Sequence, residues 1–278
     1  ILILHFMITK EDISSLASQY INEVIAIRRH LHQNPELSFE EYHTSAYIEE
    51  QLKQAGIHYR KGFAGTGIVG IIKGNKSGNF VVALRAEMDA LPVNEKNTMD
   101  FKSKTEGKMH ACGHDVHMAS LLGAAKILNN LKDKLPGTIL LIFQPAEEKL
   151  PGGAQQMITD GALKDPKPDI IIAQHVFPGL ATGKVGFRPG TYMASSDEIY
   201  ITVKGKGGHA ATPHQLVDPV IIASHIVIAL QQIISRNANP TEPSVLSFGI
   251  FEAKGAVNVI PDSVRLEGTF RTLNEAWR

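Results

Sequence analysis

Hydrophobic residues near the amino terminus recur at steps of three and four positions. The series consists of Ile13, Leu16, Tyr20, Val24, Ile27 and Leu31. This spacing predicts an amphipathic helix. Thr9 and Asp12 match a capping box at its start. Asn34-Pro35 predicts its end, because the residue before a proline is pushed out of the α region. A second helix is predicted from about Phe39 to Ala55.

Short apolar runs then alternate with helical patterns. The runs that read as strands are Ile68–Ile72, Phe80–Leu84, Thr138–Phe143 and Ile170–Ala173. The helical patterns between them are Ala119–Leu131 and a weaker one near Ala154–Ile158. Strands separated by helices are typical of βαβ units, so we expect an α/β domain with a mostly parallel sheet covered by helices on both faces.

The pattern changes after Phe187-Arg-Pro-Gly190. The later elements are a half-exposed strand, a long apolar helix and two further strands, at Glu198–Lys204, Val217–Ser235, Val245–Phe251 and Val264–Arg271. This β-α-β-β order indicates a small α+β (ferredoxin-like) domain inserted as a second unit. We therefore predict domains at residues 1–188 and 189–278. Because the unit stops before a last helix and strand, which would leave a sheet edge and one face uncovered, we expect the sequence to be part of a longer protein.

Composition narrows the class of protein. Apolar residues make up 43% and charged residues 20% of the chain, and the formal net charge is zero. This balance argues against nucleic acid or an anionic membrane as a partner. Ile1–Phe6 is apolar but lacks the basic start and cleavage site of a signal peptide, so we expect Met7 to be the natural start. No other stretch approaches the roughly 18 apolar residues of a membrane span. A cytoplasmic protein is predicted.

The one cysteine lies in a cluster of histidines. Lys108–His117 reads Lys-Met-His-Ala-Cys-Gly-His-Asp-Val-His, and Cys112 is the only cysteine of the chain. A lone cysteine cannot form an intramolecular disulfide, whereas a thiolate and an imidazole two residues apart are plausible ligands of a borderline-soft divalent metal. The predicted helix that follows puts Cys112 and His114 near its amino end, where a thiolate is favoured. The alternative is a small buried cysteine among solvated histidines.

Polar residues follow three of the predicted strands directly. These segments are Arg85-Ala-Glu-Met-Asp89, Gln144-Pro-Ala-Glu147-Glu148 and Gln174-His175. Ligands of open parallel sheets bind beyond the carboxyl ends of the strands, so these side chains are expected at one edge. Singly, each has an ordinary explanation, as a turn cap, a solvated helix start or a loop histidine. Their joint occurrence favours a metal centre.

The adjacent carboxylates Glu147 and Glu148 can divide two tasks. One binds metal, while the other stays unligated and takes a proton from the attacking water. The candidate ligands are Cys112, His114, Glu148 and His175. His110 and His117 are further possibilities, although their position beside the cysteine turn favours supporting or surface roles.

At this point the residues match a known family. The chain resembles the metal-dependent amidohydrolases related to hippurate hydrolase, bacterial aminoacylase and the plant hydrolases of auxin–amino-acid conjugates. The resemblance rests on Arg28-Arg-His-Leu-His32 with Pro35-Glu36-Leu37, Ala83-Leu-Arg-Ala-Glu-Met-Asp-Ala-Leu-Pro92, Met109-His-Ala-Cys-Gly-His-Asp115, Gln144-Pro-Ala-Glu-Glu148 and Gly207-Gly-His-Ala-Ala-Thr-Pro213.

The resemblance implies a site with two divalent metal ions, zinc or manganese, with cobalt or nickel as alternatives. In this family Glu147 would be the general base, and Asp89 would be a carboxylate that orients the site. The implied metal ligands are Cys112, His114, Glu148 and His175. A further histidine ligand near the carboxyl terminus of family members has no counterpart here, and relatives usually carry Asp where this chain has Glu87.

The second domain resembles the lid and dimerisation domain of the same family. By this resemblance His209 polarises the scissile carbonyl, often in the partner subunit's site, and Asn258 and Arg271 hold the substrate. The planar fork of Arg271 suits a carboxylate. We therefore expect a homodimer formed through the second domain.

The sequence thus predicts an enzyme that hydrolyses the amide bond of small N-acyl amino acids. Two alternatives stay open on the same sequence. One is a dipeptidase, carboxypeptidase or N-acetyl-diaminopimelate deacetylase on the same scaffold. The other is an inactive module that only binds or dimerises.

Overall fold

The computed structural model describes residues 8–278, which divide after residue 179 into two compact units, the second being residues 180–278. The expectation of a natural start at Met7 concerns residues outside the described part. The division lies somewhat before residue 188, where the sequence pattern changes. The assignment of residues 1–188 and 189–278 to a catalytic and a lid domain stays a prediction.

The first unit contains four α-helices and five strands among its described residues, with a short 3-10 helix at Lys132–Lys134. In chain order they are α1 (Lys10–Gln33), α2 (Tyr42–Gln54), β1 (His58–Phe63), β2 (Gly67–Lys73), β3 (Lys76–Glu87), α3 (His114–Asn130), β4 (Pro136–Gln144), α4 (Gly153–Thr159) and β5 (Ile170–Ala173).

The capping box predicted for α1 is present. Thr9 Oγ1 accepts from the Asp12 backbone N–H at 3.1 Å, and the Asp12 carboxylate accepts from the Thr9 N–H at 3.0 Å. The helix ends at Gln33, one residue before Asn34-Pro35. Local sequence therefore sets both ends of α1.

The five strands form one sheet in the order β1-β2-β4-β3-β5. β3 pairs in parallel with both β4 and β5, whereas β2 is antiparallel to both of its neighbours, so four strands run one way and one the other. This confirms the prediction of a mainly parallel sheet in an α/β unit. It also brings the carboxyl ends of β3, β4 and β5 to the same edge.

Alternate side chains of the strands face opposite sides of the sheet. On one face, Phe143 and Leu141 pack with residues of α1, α2 and α3. On the other face, Leu140 and Ile142 pack with Met157 of α4. Helices therefore cover both faces, as the apolar runs of these strands require.

The second unit combines a helix with two small sheets. Its elements are β6 (Asp197–Lys204), β7 (Gly208–His209), α5 (Pro219–Gln232, continued by a π-helical turn at Ile233–Asn237), β8 (Ser244–Ala253), β9 (Val259–Ile260) and β10 (Ser263–Thr272). β6, β10 and β8 form an antiparallel three-stranded sheet, and β7 pairs with β9. Val203, Val264 and Leu266 of the larger sheet pack against Ala223 of α5.

One helix among residues 8–278, Pro219–Asn237, is long and apolar enough to cross a membrane by length and composition. This corrects the expectation that no stretch approaches that length. A single such helix is weak evidence for a membrane span, and in this structure one face of it packs on the sheet of its own unit.

Candidate metal centre

Three strand ends deliver polar groups to one edge of the first unit's sheet. In the parallel ladder Glu87, the last residue of β3, pairs with Gln144, the last residue of β4. Ala173 at the end of β5 pairs with Arg85. The residues that follow these strands therefore start from neighbouring positions, as the sequence predicts.

Cys112 and two histidines converge at this edge. Cys112 Sγ lies 3.3 Å from His175 Nε2. One ligand atom from each of Cys112, His114 and His175 lies within 4.8 Å of the others. Two ligand atoms bound about 2.0–2.3 Å from the same zinc ion can be no more than about 4.6 Å apart, so this spacing approaches that of a common coordination shell.

His114 begins α3, and Gly113 precedes it with φ 92°. A Cβ on Gly113 would lie 2.4 Å from Val176 Cγ2. Both the left-handed backbone and this close approach explain why glycine occupies the turn between Cys112 and His114. The helix begins five residues before the predicted apolar run, so His114 lies in its first turn.

The ring of His114 is oriented for a metal ion. Its Nδ1 donates to the carbonyl oxygen of Asp89 at 2.8 Å, which leaves Nε2 as the ring nitrogen available to a metal ion. This Nε2 is buried and has no hydrogen-bond partner within residues 8–278. The nearest carboxylates are Glu148 Oε1 at 3.9 Å and Glu147 Oε2 at 4.0 Å. A buried polar atom without a partner is costly, and a metal cation bound between these groups would satisfy it.

The surrounding charges stabilise positive charge at this position. Burial alone would lower the pKa of His114, but Asp89 and Cys112 outweigh it and raise the pKa to about 11. A divalent cation would benefit from the same field and would compete with the proton for Nε2. The residues present therefore fit a metal ion.

Asp89 anchors the centre without reaching solvent. Its Oδ2 accepts from the Ser38 hydroxyl at 2.6 Å and from the Glu148 backbone N–H at 2.9 Å. Burial opposes its ionisation, but the hydrogen bonds with His114, Ser38 and Glu148 lower the pKa of Asp89 to about 2. The ionised carboxylate of Asp89 thus holds the Glu148 backbone, and its main-chain carbonyl holds the His114 ring.

The two adjacent glutamates differ in their surroundings. The side chain of Glu147 is 41% exposed and that of Glu148 is 24% exposed. Burial and the neighbouring Glu148 carboxylate raise the pKa of Glu147. A more accessible carboxylate with a raised pKa suits proton transfer better than metal binding.

Glu87 and His117 form a hydrogen-bonded chain beside the centre. His117 Nδ1 donates to Glu87 Oε2 at 2.8 Å, and His117 Nε2 accepts from the Val176 N–H at 3.0 Å. Glu87 also pairs with Arg85. Although Glu87, His114 and His117 are close enough to hold an ion, both nitrogens of His117 are already engaged. The hydrogen bonds of Glu87 and His117 instead fix the segment that carries His175, through the Val176 N–H.

A second buried network supports the start of α3. His32 bridges two carboxylates, with Nδ1 at 2.8 Å from Asp115 Oδ2 and Nε2 at 3.1 Å from Glu95 Oε1. Arg28 Nε lies 2.8 Å from the same Asp115 oxygen. The Asp115 hydrogen bond raises the pKa of His32. His110 is buried beside this network, and burial lowers its pKa to about 4. Both His110 and His117 are thus interior residues, which excludes the surface role considered for them.

The predicted substrate-binding residues lie in the second unit. His209 is in β7 and exposed, and its Nδ1 accepts from the Ala211 N–H at 3.1 Å. The carbonyl of Asn258 accepts from the Ala210 N–H at 2.9 Å, so Asn258 and the His209 turn are neighbours. Arg271 is an exposed residue of β10. The roles of these three residues stay predictions.

Two residues that support the centre were not assigned a role from the sequence. Ser38 donates to Asp89, and the fully buried Glu41 accepts from the Ala146 N–H at 2.8 Å. Ser38 directly follows a quoted motif, Pro35-Glu36-Leu37, and Glu41 lies four residues beyond it. The only signal available was their proximity to that motif, because hydrophobic periodicity does not reveal buried polar contacts.

A cysteine, imidazoles and paired carboxylates at the carboxyl edge of an α/β sheet are a donor set suited to a metal-dependent hydrolase. The sequence matches the family described as Peptidase family M20/M25/M40 over residues 83–264. It is 45% identical to an N-acyl-L-amino acid amidohydrolase of Geobacillus stearothermophilus, over 97% of this chain and 72% of the relative. It is 47% identical to an N-acetyl-L-cysteine deacetylase of Bacillus subtilis (strain 168), over 92% of this chain and 61% of the relative.

A solved structure is similar as well. The Bacillus subtilis YXEP protein, described as a dinuclear metal binding peptidase from the M20 family, matches with 37% identity and a TM-score of 0.72. The match covers 93% of this chain and 66% of that one. The chain therefore belongs to the peptidase family M20/M25/M40. It spans roughly two thirds of the length of these relatives.

Membership of this family confirms the resemblance drawn from the five motifs and the class of hydrolase acting on amide bonds. The M20 neighbour that binds two metals supports a dinuclear centre in the family.

Proposed function

We propose that this protein hydrolyses the amide bond of N-acyl amino acids at a dinuclear metal centre. The observation that carries the proposal is the buried, unpartnered Nε2 of His114. Glu148 Oε1 and Glu147 Oε2 lie 3.9 and 4.0 Å from it, and His114 also has a ligand atom within 4.8 Å of those of Cys112 and His175. The names of the relatives supply the substrate class, an N-acylated amino acid.

Four side chains would hold the metals, namely Cys112, His114, Glu148 and His175. When bound, the metals supply a Lewis acid for the amide carbonyl and lower the pKa of a water molecule. The thiolate and imidazoles suit zinc, and the carboxylate also suits manganese, with cobalt or nickel possible. Asp89 keeps the His114 ring turned so that Nε2 points to the metals.

Glu147 would be the general base. Its carboxylate takes a proton from water as the oxygen attacks the amide carbon, and later gives the proton to the leaving amine. The raised pKa of Glu147 brings the carboxylate closer to the pH at which it can both take and return a proton. His209 would donate to the developing oxyanion.

The second unit would bind the substrate and a second copy of the chain. Arg271 suits the carboxylate of the amino acid product, and Asn258 lies next to the His209 turn. Ile221 and Ile228 of α5 are exposed apolar residues that a homodimer would cover. In this proposal the protein acts on a small molecule in the cytoplasm, without nucleic acid or membrane partners.

Two alanine variants test the division of roles between the glutamates. Glu147→Ala should abolish hydrolysis of N-acetyl-methionine and hippurate while leaving the metal content nearly intact. Glu148→Ala should deplete the metal. Metal content is measured by elemental mass spectrometry and hydrolysis by amine release, with the exposed Glu106→Ala as matched control. Equal metal loss in both glutamate variants would refute the assignment.

A further inference from the structure

The peptide just before the two glutamates has an unusual backbone conformation. Ala146 has φ 46°, in the left-handed region, and its side chain is buried. A residue with a Cβ disfavours this region because the Cβ approaches the following carbonyl oxygen. The conformation therefore persists only where the surroundings hold it. It also decides the direction in which Glu147 and Glu148 leave β4.

Two hydrogen bonds hold the Ala146 backbone. Its N–H donates to Glu41 Oε1 at 2.8 Å, and its carbonyl accepts from the Gly153 N–H at 2.8 Å. The second bond comes from the start of α4, close along the chain. The first comes from a residue 105 positions away in sequence.

Glu41 is fully buried, which is unusual for a carboxylate. Its other oxygen, Oε2, accepts from the Thr66 hydroxyl at 2.8 Å. Burial raises the pKa of Glu41, and its hydrogen bonds oppose this effect. Each carboxylate oxygen of Glu41 thus accepts a hydrogen bond from an uncharged donor, and one of the two donors is the Ala146 N–H.

Capping of α2 does not explain why the carboxylate of Glu41 is buried. Although Glu41 occupies the N-cap position of α2, its side chain makes no capping hydrogen bond. Glu36 caps this helix instead, since its two carboxylate oxygens accept from the N–H groups of His43 at 3.1 Å and Thr44 at 2.7 Å. The side chain of Glu41 is turned away from its own helix and toward the Ala146 peptide.

We propose that Glu41 is a positioning residue that holds the Ala146 peptide in its left-handed conformation and so aims Glu147 and Glu148 at the metal centre. This inference rests on the proposed role of Glu147 as general base. Glu41 acts through the backbone and does not touch the substrate. The same contact also sets the Glu148 N–H that donates to Asp89.

The test compares Glu41→Ala with a matched control, Thr66→Val. The control removes the other hydrogen bond of the same carboxylate but leaves the Ala146 contact. In Glu41→Ala, hydrogen–deuterium exchange of the Ala146 amide should accelerate at least about tenfold, and kcat should fall on the order of 100-fold with little change in KM. Thr66→Val should change neither the exchange nor kcat by more than about twofold.

A second substitution separates positioning from general destabilisation. Gly has no steric penalty in the left-handed region, so Ala146→Gly in the Glu41→Ala background should recover about tenfold of the lost kcat. If Glu41→Ala does not fold, Glu41→Gln takes its place. This variant keeps a weaker acceptor for the Ala146 N–H, so a smaller loss of kcat and the same rescue by glycine are expected.

The outcomes distinguish the two proposals. Equal exchange and equal kcat in the Glu41 variant and the Thr66→Val control would overturn the positioning role. So would a loss of kcat that glycine at position 146 does not recover. If the unaltered protein hydrolyses no N-acyl amino acid, the proposed function fails, whereas a selective increase in Ala146 exchange still supports the positioning role of Glu41.

Discussion

Replacing Asp89 by Asn tests how the centre is held together. The change preserves the shape of the side chain and removes its charge. An Asn oxygen can still accept from the Ser38 hydroxyl and the Glu148 N–H. The amide nitrogen would then occupy the position of Oδ1, which lies 3.4 Å from His114 Nδ1. Two N–H groups would face each other there, which would weaken the hold on the His114 ring, although its 2.8 Å bond to the backbone carbonyl of residue 89 would remain.

The size of the effect follows from the environment of Asp89. Its pKa lies at about 2 instead of 3.8, and the side chain is 1% exposed. A difference of this size corresponds to about 2 kcal/mol in favour of the ionised form. Loss of a group that orients a metal ligand typically lowers metal affinity about 10- to 100-fold. We expect Asp89→Asn to lower zinc affinity by that factor at pH 7.

Competition with a chromophoric chelator measures this affinity, and Asp100→Asn, at an exposed aspartate, is the control. Urea unfolding without metal adds an independent check. Because the pKa of Asp89 is lowered on folding, its stabilisation is present above pH 3.8 and is lost as the pH falls toward 2. The difference between wild type and variant should therefore shrink over that range. Unchanged zinc affinity in Asp89→Asn would refute the reasoning.

Two further predictions concern the buried networks around the centre. The pKa of His32 is raised by Asp115, so its stabilisation is complete below about pH 6.5 and is lost as the pH rises through the raised value. Thermal unfolding from pH 6 to 9 should show a smaller loss of stability for His32→Asn than for wild type, and parallel curves would contradict this. His117→Asn should weaken zinc binding about 10- to 100-fold by releasing the Val176 segment that carries His175, with an unchanged circular dichroism spectrum. Wild-type zinc affinity in this variant would count against that role.

Much of the first unit could be predicted from the sequence because its elements carry strong local signals. The capping box and Asn34-Pro35 define α1, and apolar runs mark β2, β4 and β5. Ligand binding beyond the carboxyl ends of parallel strands then predicts the edge at which the site lies. These signals depend only on neighbouring residues and on sheet geometry.

Other features could not be predicted, for physical reasons. β1 reads His-Tyr-Arg-Lys-Gly-Phe and lacks an apolar run, because none of its side chains is buried. The first turn of α3 was missed because its buried residues His114, Asp115 and His117 are polar. The role of Glu41 depends on a contact with Ala146, far along the chain, to which no local pattern points.

The central claim is that Cys112, together with His114 and His175, is a ligand of the metal centre. The most direct measurement is a titration of the protein with cobalt(II), followed by absorption spectroscopy. A thiolate bound to cobalt gives a charge-transfer band in the near ultraviolet, so the account predicts a band that grows with added cobalt and is absent in Cys112→Ser. If cobalt produces no such band in the unaltered protein, or if the Cys112→Ser variant retains it, Cys112 is not a metal ligand and the account is contradicted.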